Sequence, residues 1–197
     1  TRRAALQGVE MGSPGLGGEG CEAAGGTAGN IPGGEMFTSV QTGVVDAAEW
    51  VGPFNDLVLG FHQVARYYYY PGWQEPGPNL EMIINQEAFA SLPKDLQVML
   101  RTAAEAVNND VLSEYTARNN RALTELVEVH GVEVRRLPDD VLAKLKQISD
   151  ERVKKLVGDD PLSLRIYESY TAYRQGVMNY SELSERAFLN VRADLKD

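Results

Sequence analysis

Residues 27–49 read as a strand, a helix and a second strand, and this order constrains the fold more than any other feature of the chain. A strand is predicted over 27–31 and a helix over 35–42, with Gly43 in a position suited to the helix C-terminal cap. The second strand follows over 44–49. Two strands joined through a helix usually run parallel in one sheet. We therefore predict an α/β fold built on a parallel sheet.

An acidic and an aromatic residue lie at the carboxyl end of the second predicted strand. Val44 and Val45 open an apolar run that Gly52-Pro53 stops, which places Glu49 and Trp50 beside a turn. Open α/β sheets bind their ligands outside the carboxyl ends of the strands. Glu49 and Trp50 are therefore candidate ligand-binding residues.

A later segment repeats this arrangement. Tyr67–Tyr70 predicts an aromatic strand, and Pro71-Gly72 ends it ahead of Trp73 and Glu75. Taken singly, the glutamates would be read as exposed loop residues and the tyrosines as a half-buried strand. Together they indicate more, because a carboxylate among aromatic side chains is costly unless it is paired, hydrogen-bonded or bound to a cation. Two such carboxylates suggest a hard cation, since sodium, calcium and magnesium prefer oxygen ligands.

The order and spacing of these residues carry a resemblance to a known family. Asp-Ala-Ala-Glu-Trp-Val-Gly-Pro at 46–53, then Gly60-Phe61, the Tyr67–Tyr70 run with Pro-Gly-Trp, and Glu75 resemble the solute-binding proteins of TRAP transporters, the DctP family. The chain is most similar to the branch that binds 2-oxo acids such as pyruvate. The resemblance implies a periplasmic-binding-protein-like fold of the type II-like TRAP form, with long C-terminal helices. It also implies that this chain is the C-terminal portion of such a fold, which is therefore incomplete here.

The same resemblance implies a binding site. In the family, the Glu of the Glu-Trp pair, the carbonyl of the Trp and the later Glu surround a sodium ion, and the carboxylate and keto oxygens of the ligand complete the shell. The matching positions are Glu49, Trp50 and Glu75, with calcium as the alternative ion. An arginine on an early strand grips the ligand carboxylate in the family, and Gly12 occupies that position here.

The function that the resemblance implies is transport rather than catalysis. The chain would be the periplasmic component of a TRAP transporter, capturing a small 2-oxo acid or related organic acid and delivering it to the membrane permease subunits. A homodimer through the C-terminal helices is also expected. Two other hypotheses stay open at this point: a glycoside hydrolase that uses Glu49 and Glu75 as its carboxylate pair, and a helical interaction fragment that binds no ligand.

Charge and cysteine content exclude several classes of partner. A net charge of −9 and a pI near 4.8 argue against nucleic acid and against anionic membrane surfaces. Cys21 is the one cysteine, so an internal disulfide is excluded. His62 and His130 lie far apart in the sequence and make a zinc site improbable. The chain opens at Thr1-Arg-Arg without a signal peptide, which we read as an internal start.

Gly15-Leu-Gly-Gly-Glu-Gly20 matches the G-x-G-x-x-G pattern of dinucleotide sites. Pro14 precedes it and Glu19 places a negative charge inside it, which disfavours a pyrophosphate at this position. We predict a loop that leads into a short helix.

The second half of the chain is predicted to be helical. An apolar periodicity from Leu92-Pro93 to Gly131 predicts a helix of about 37 residues, or ~55 Å at 1.5 Å per residue, which would brace two domains. Further helices are predicted over 138–157 and 161–197, the last with a break near Gly176. Short strands are expected over 79–85 and 132–135. We accordingly divide the chain into a βαβ ligand-binding lobe, 1–90, and bracing and C-terminal helices, 91–197.

Overall fold

The computed structural model describes residues 7–13, 15–75, 77 and 80–195. The strands of this part are β1 (Glu10–Gly12), β2 (Thr27–Gly29), β3 (Ala47–Ala48), β4 (Tyr67–Tyr70) and β5 (Glu133–Arg136). The helices are α1 (Gly15–Ala23), α2 (Gly33–Thr42), α3 (Pro53–Val58), α4 (Gln86–Ser91), α5 (Lys94–Glu128), α6 (Asp139–Val157), α7 (Pro161–Leu183) and α8 (Glu185–Asp194), with a 3-10 turn at Phe61–Gln63.

The predicted parallel sheet is confirmed. β1 lies between β2 and β3 and pairs with both in parallel, so that Met11 faces Ala28 on one side and Ala47 on the other. Helix α2 connects β2 to β3 and ends at Gly43, which adopts the left-handed conformation with φ of 74°. The two predicted strands are shorter than the sequence suggested, but each lies inside its predicted range. β3 ends one residue before Glu49.

A second, two-stranded sheet consists of β4 and β5. The strands run parallel, with Tyr67 opposite Glu133 and Tyr70 opposite Arg136. This arrangement confirms the aromatic strand and, within one residue, the predicted strand over 132–135. Parallel strands need a long connection, and helices α4 and α5 lie between these two in the sequence.

The prediction of a strand over 79–85 is wrong for residues 80–85. They form no strand, and their apolar side chains are exposed, Leu80 at 74% and Ile83 at 87%. Asn79 lies outside the described residues. Alternating apolar residues form a strand only where another strand accepts their backbone hydrogen bonds, and no described segment pairs with this one.

The predicted break at Gly176 is also wrong. Helix α7 continues through Gly176 to Leu183, and the interruption comes at Ser184, where φ is −116° and ψ is −109°. A single glycine lowers helix propensity by only about 1 kcal/mol relative to alanine, which a helix of this length tolerates.

Buried apolar side chains come from several elements and the segments beside them. They are Cys21, Met36, Val45, Ala122, Leu126, Val132, Val141, Leu145 and Ile148. Three residues of α6, Val141, Leu145 and Ile148, are among them, and so are Ala122 and Leu126 of α5. The C-terminal part of α5 thus joins the core, while Val98, Val107 and Leu112 nearer its start are exposed. Its role as a brace between domains stays a prediction.

The chain forms two compact units, residues up to Ser149 and residues from Asp150. The division into lobes at residue 90 concerns the family fold and stays a prediction. In the described part of the chain, no helix has both the length and the apolar character needed to cross a membrane.

Two helical glycines are expected to respond oppositely to substitution by alanine. Gly176 has open space around it, so Gly176→Ala should stabilise the fold by about 0.5–1 kcal/mol through the reduced entropy of the unfolded chain. A Cβ on Gly18 would lie 2.4 Å from the Ser13 carbonyl oxygen, so Gly18→Ala should cost about 1–3 kcal/mol. Urea unfolding of both variants measures this, and a stabilised Gly18→Ala would contradict the packing described.

Candidate functional site

The first candidate segment follows β3 directly. The Glu49 N–H donates to the Gly12 carbonyl at 3.1 Å, so the sheet holds the backbone of Glu49 at its carboxyl edge. Asp46, at the start of the same motif, accepts a hydrogen bond of 3.0 Å from the Glu10 N–H. Residues on both sides of β3, Asp46 and Glu49, are therefore hydrogen-bonded to β1. Glu49 and Trp50 lie half-buried beyond the end of β3.

The Trp50 ring has a defined place beside the site. It meets the Phe61 ring edge-on, with centroids 6.5 Å apart. Its far edge lies so close to Gly33, at the start of α2, that a Cβ there would be 2.4 Å from Cη2. The indole therefore packs on backbone, which restricts the orientation of the residue whose carbonyl is a candidate ligand.

The second candidate segment follows β4, after the turn at Pro71-Gly72. Trp73 and Gln74 are half-buried, and Glu75 is exposed. A Cβ on Gly20 would lie 2.8 Å from the Trp73 ring, and one on Gly17 would lie 3.5 Å from Gln74 Cγ.

These contacts account for the glycine-rich motif. Gly15–Gly20 lies within helix α1 rather than in a loop before it, so that prediction is wrong in its boundary. Gly20 is required because the Trp73 ring lies against the helix there, while Gly18 is crowded by the Ser13 carbonyl and by Ala28.

The structure places the two candidate carboxylates within electrostatic range of each other. Burial raises the pKa of the Glu49 carboxyl, and the negative charge of Glu75 raises it further. A hydrogen bond with the Gln74 side chain acts in the opposite direction, and the charge of Asp56 adds a smaller upward effect. No cationic side chain is among the groups that shift this pKa. Two like charges that interact in a partly buried site favour binding of a cation.

The donor set fits a hard cation rather than a transition metal. In the described residues no three His, Cys, Asp or Glu side chains form a cluster that could hold a metal ion. Glu49 and Glu75 would therefore need further oxygens, from main-chain carbonyls such as that of Trp50 or from a bound molecule. Sodium and calcium accept such mixed oxygen shells.

Gly12 lies at the end of β1 and is buried. The space where its side chain would begin is filled by Met36 of α2, whose Sδ would lie 2.6 Å from a Cβ. Among the described residues, the atoms nearest to this place belong to the uncharged side chains of Met36 and Ile31. A longer side chain at position 12 would have to displace the flexible end of Met36.

Two residues at the site were missed by sequence reasoning. Gln74 lies close enough to Glu49 to lower its pKa. Asp56, which is 7% exposed, accepts hydrogen bonds from the Val51 and Gly52 N–H groups. Asp56 lies in the first turn of a helix that opens with Gly52-Pro53. A carboxylate there suits the helix N-terminus, and that signal could have identified it.

The two histidines meet in space although they are distant in the sequence. Their rings stack with centroids 3.9 Å apart and an angle of 28° between planes. Burial and the neighbouring His130 lower the pKa of His62. Their separation in the sequence therefore does not keep these side chains apart, and the expectation about zinc stays a prediction.

The chain matches known proteins over most of its length. Residues 3–159 match the family described as bacterial extracellular solute-binding protein, family 7, or DctP. The chain is 35% identical over 185 residues to a monocarboxylate 2-oxoacid-binding periplasmic protein of Nostoc sp.. This match covers 94% of the chain and 50% of the relative, so the chain spans half the length of that protein.

Solved structures show the same relationship. One is a TRAP periplasmic solute-binding protein of Colwellia psychrerythraea with bound calcium and pyruvate, 37% identical with a TM-score of 0.90. Another, from Pseudoalteromonas atlantica with bound sodium and pyruvate, is 35% identical with a TM-score of 0.88. The matches cover 96% and 95% of this chain but 58% and 57% of those chains. The fold described above is therefore the TRAP solute-binding fold in part.

The contact between Gly20 and Trp73 can be tested by a single substitution. Gly20→Ala should displace the Trp73 ring and expose it, because the added Cβ would lie 2.8 Å from the ring. Tryptophan emission should shift to longer wavelength. Gly34→Ala, at another helical glycine with open space around it, is the control and should leave the emission unchanged. Identical spectra for both variants would show that the loop does not rest on α1.

Proposed function

The chain belongs to bacterial extracellular solute-binding protein family 7, the DctP family of TRAP solute-binding proteins, and on that premise we propose that it binds a small 2-oxo acid together with a cation. The observation that carries this proposal is the electrostatic contact between Glu49 and Glu75 in a partly buried site. Relatives with bound pyruvate and either calcium or sodium support it.

Each residue of the proposed site has a distinct role. Glu49 and Glu75 supply carboxylate oxygens to the cation, and Trp50 supplies its main-chain carbonyl. The carboxylate and keto oxygens of the ligand complete the shell. The cation contributes positive charge that attracts the anionic ligand and offsets the repulsion between the two glutamates. Sodium and calcium are both compatible with this oxygen set, and sodium is the ion we propose first.

Family membership also decides between the hypotheses raised by the sequence. The family consists of solute-binding components of TRAP transporters and not of enzymes, so the glycoside hydrolase hypothesis is set aside. A fragment that only mediates helical interactions would not account for the paired carboxylates. Because the chain spans about half of its relatives, the transport role belongs to the whole protein.

Gly12 bears on ligand affinity. An arginine–carboxylate pair contributes roughly 1.5–3 kcal/mol, which is about 10- to 150-fold in dissociation constant. Gly12 contributes none of this, and the thioether of Met36 lies in its place. We expect weak binding of 2-oxo acids, or a preference for a less anionic ligand such as a polyol or an ester.

The remaining features of the proposal concern location and partners. The Nostoc relative is a periplasmic protein, and we place this protein in the periplasm, delivering its ligand to TRAP membrane permease subunits. Helix α7 leaves Ile166, Tyr170 and Tyr173 exposed by 60% or more. Apolar surface of this extent supports a homodimer through the C-terminal helices.

Calorimetry on the whole protein tests the proposed function. Pyruvate, 2-oxobutyrate and 2-oxovalerate should bind in the presence of sodium or calcium and lose affinity when both ions are removed, because the cation neutralises the glutamates. The ligand should be recovered unchanged. Binding that ignores both ions would refute the cation site while leaving the fold assignment intact.

Substitution of Glu75 tests the assignment of the second carboxylate. Glu75→Gln keeps the size of the side chain and removes one of two negative charges, so cation affinity should fall at least tenfold while the unfolding midpoint of the cation-free protein does not fall. Glu81→Gln removes the same charge from an exposed residue nearby and is the matched control. Equal cation affinities of the two variants would show that Glu75 is an exposed loop residue that does not bind the cation.

A further inference from the structure

Asp56 connects the two segments of the candidate site through a single carboxylate. Its Oδ1 accepts hydrogen bonds from the N–H groups of Val51 at 3.4 Å and Gly52 at 3.3 Å. Its Oδ2 accepts a hydrogen bond of 2.5 Å from the Tyr68 hydroxyl. Val51 and Gly52 directly follow Glu49-Trp50, and Tyr68 lies in β4, which leads to Glu75. The two segments belong to different sheets, and this carboxylate joins them.

The surroundings of Asp56 suit a positioning residue and not a ligand. The residue is 7% exposed, and both of its oxygens are already engaged by donors. Burial raises the pKa of the Tyr68 phenol, and the Asp56 charge raises it further, so the hydroxyl remains a donor at neutral pH. Hydrogen bonds to ionised groups are the stronger kind.

Helix α5 holds the same region from the other side. The Phe54 N–H donates to Asn119 Oδ1 at 2.9 Å, and the Phe54 ring packs edge-on against Tyr115. The start of α3 is thus anchored to the long helix, and Asp56 extends from this anchored helix towards β4. A shift of β4 relative to α3 would have to break the bond between Tyr68 and Asp56.

We propose that the hydrogen bond from Tyr68 to Asp56 sets the spacing between Glu49 and Glu75, and that it thereby determines the affinity of the site for its cation. This inference rests on the proposed function and adds to it a pair of positioning residues. Its physical reason is that two mutually repelling carboxylates separate unless the segments carrying them are held together. Groups that orient metal ligands typically change metal affinity by about 10- to 100-fold when they are removed.

The experiment compares Tyr68→Phe with Tyr69→Phe in the whole protein. Each change removes one hydroxyl from β4 and no charge. Tyr68 loses its bond to Asp56, whereas Tyr69, which is 52% exposed, loses a hydrogen bond with Arg135. Calcium chloride is titrated calorimetrically at saturating pyruvate, and the unfolding midpoint of each cation-free variant is measured in parallel.

Tyr68→Phe should weaken calcium binding by about tenfold or more, and Tyr69→Phe should stay within about twofold of the wild type. If Tyr68→Phe unfolds at room temperature, the titration is made well below its unfolding midpoint, where the same difference is expected. A purely structural role would lower the midpoint of Tyr68→Phe and leave its calcium affinity unchanged, and this result would overturn the inference. Equal weakening in both variants would overturn it as well. If the wild type binds neither calcium nor, in the same titration with sodium chloride, sodium, that result would instead overturn the proposed function, and the inference with it.

Discussion

The repulsion between Glu49 and Glu75 is the constraint on which the rest of the site depends. The charge of Glu75 raises the pKa of the half-buried Glu49 carboxyl, so a negative charge on Glu49 is costly beside it. A chain without tertiary structure would keep them apart. In the folded chain a backbone hydrogen bond holds Glu49 to β1, and Glu75 follows Trp73, whose ring packs on α1. A cation bound at the two glutamates, as proposed, would offset their repulsion.

Both tryptophans pack on a glycine, and this shared feature accounts for Gly20 and Gly33. Trp50 packs on Gly33 at the start of α2, and Trp73 packs on Gly20 in α1. An indole ring that packs directly against the backbone of a helix can adopt few other orientations, because the backbone is rigid. Each segment that carries a candidate ligand is thus anchored by a large rigid ring, and the ring requires the absence of a Cβ beneath it.

Local patterns were reliable where a short segment decides its own structure. The alternation in residues 27–49 predicted the parallel sheet, and the turn residues after Val45 predicted where Glu49 would lie. The pattern over 79–85 failed because a strand needs a partner that periodicity does not specify. The break predicted at Gly176 failed because the cost of one glycine is small compared with the gain of continuing a long helix.

The sequence by itself identified the family and the candidate ligands Glu49, Trp50 and Glu75, because a motif is defined by the order of neighbouring residues. It also predicted the helices of the second half, because helical spacing is a local pattern. Only the tertiary structure decided that Gln74 lies beside Glu49, that Asp56 joins two sheets and that His62 stacks on His130. These contacts depend on how separate elements pack. A hydrogen bond or ring stack between distant residues leaves no periodic trace in the sequence, so it becomes visible only when the chain is folded.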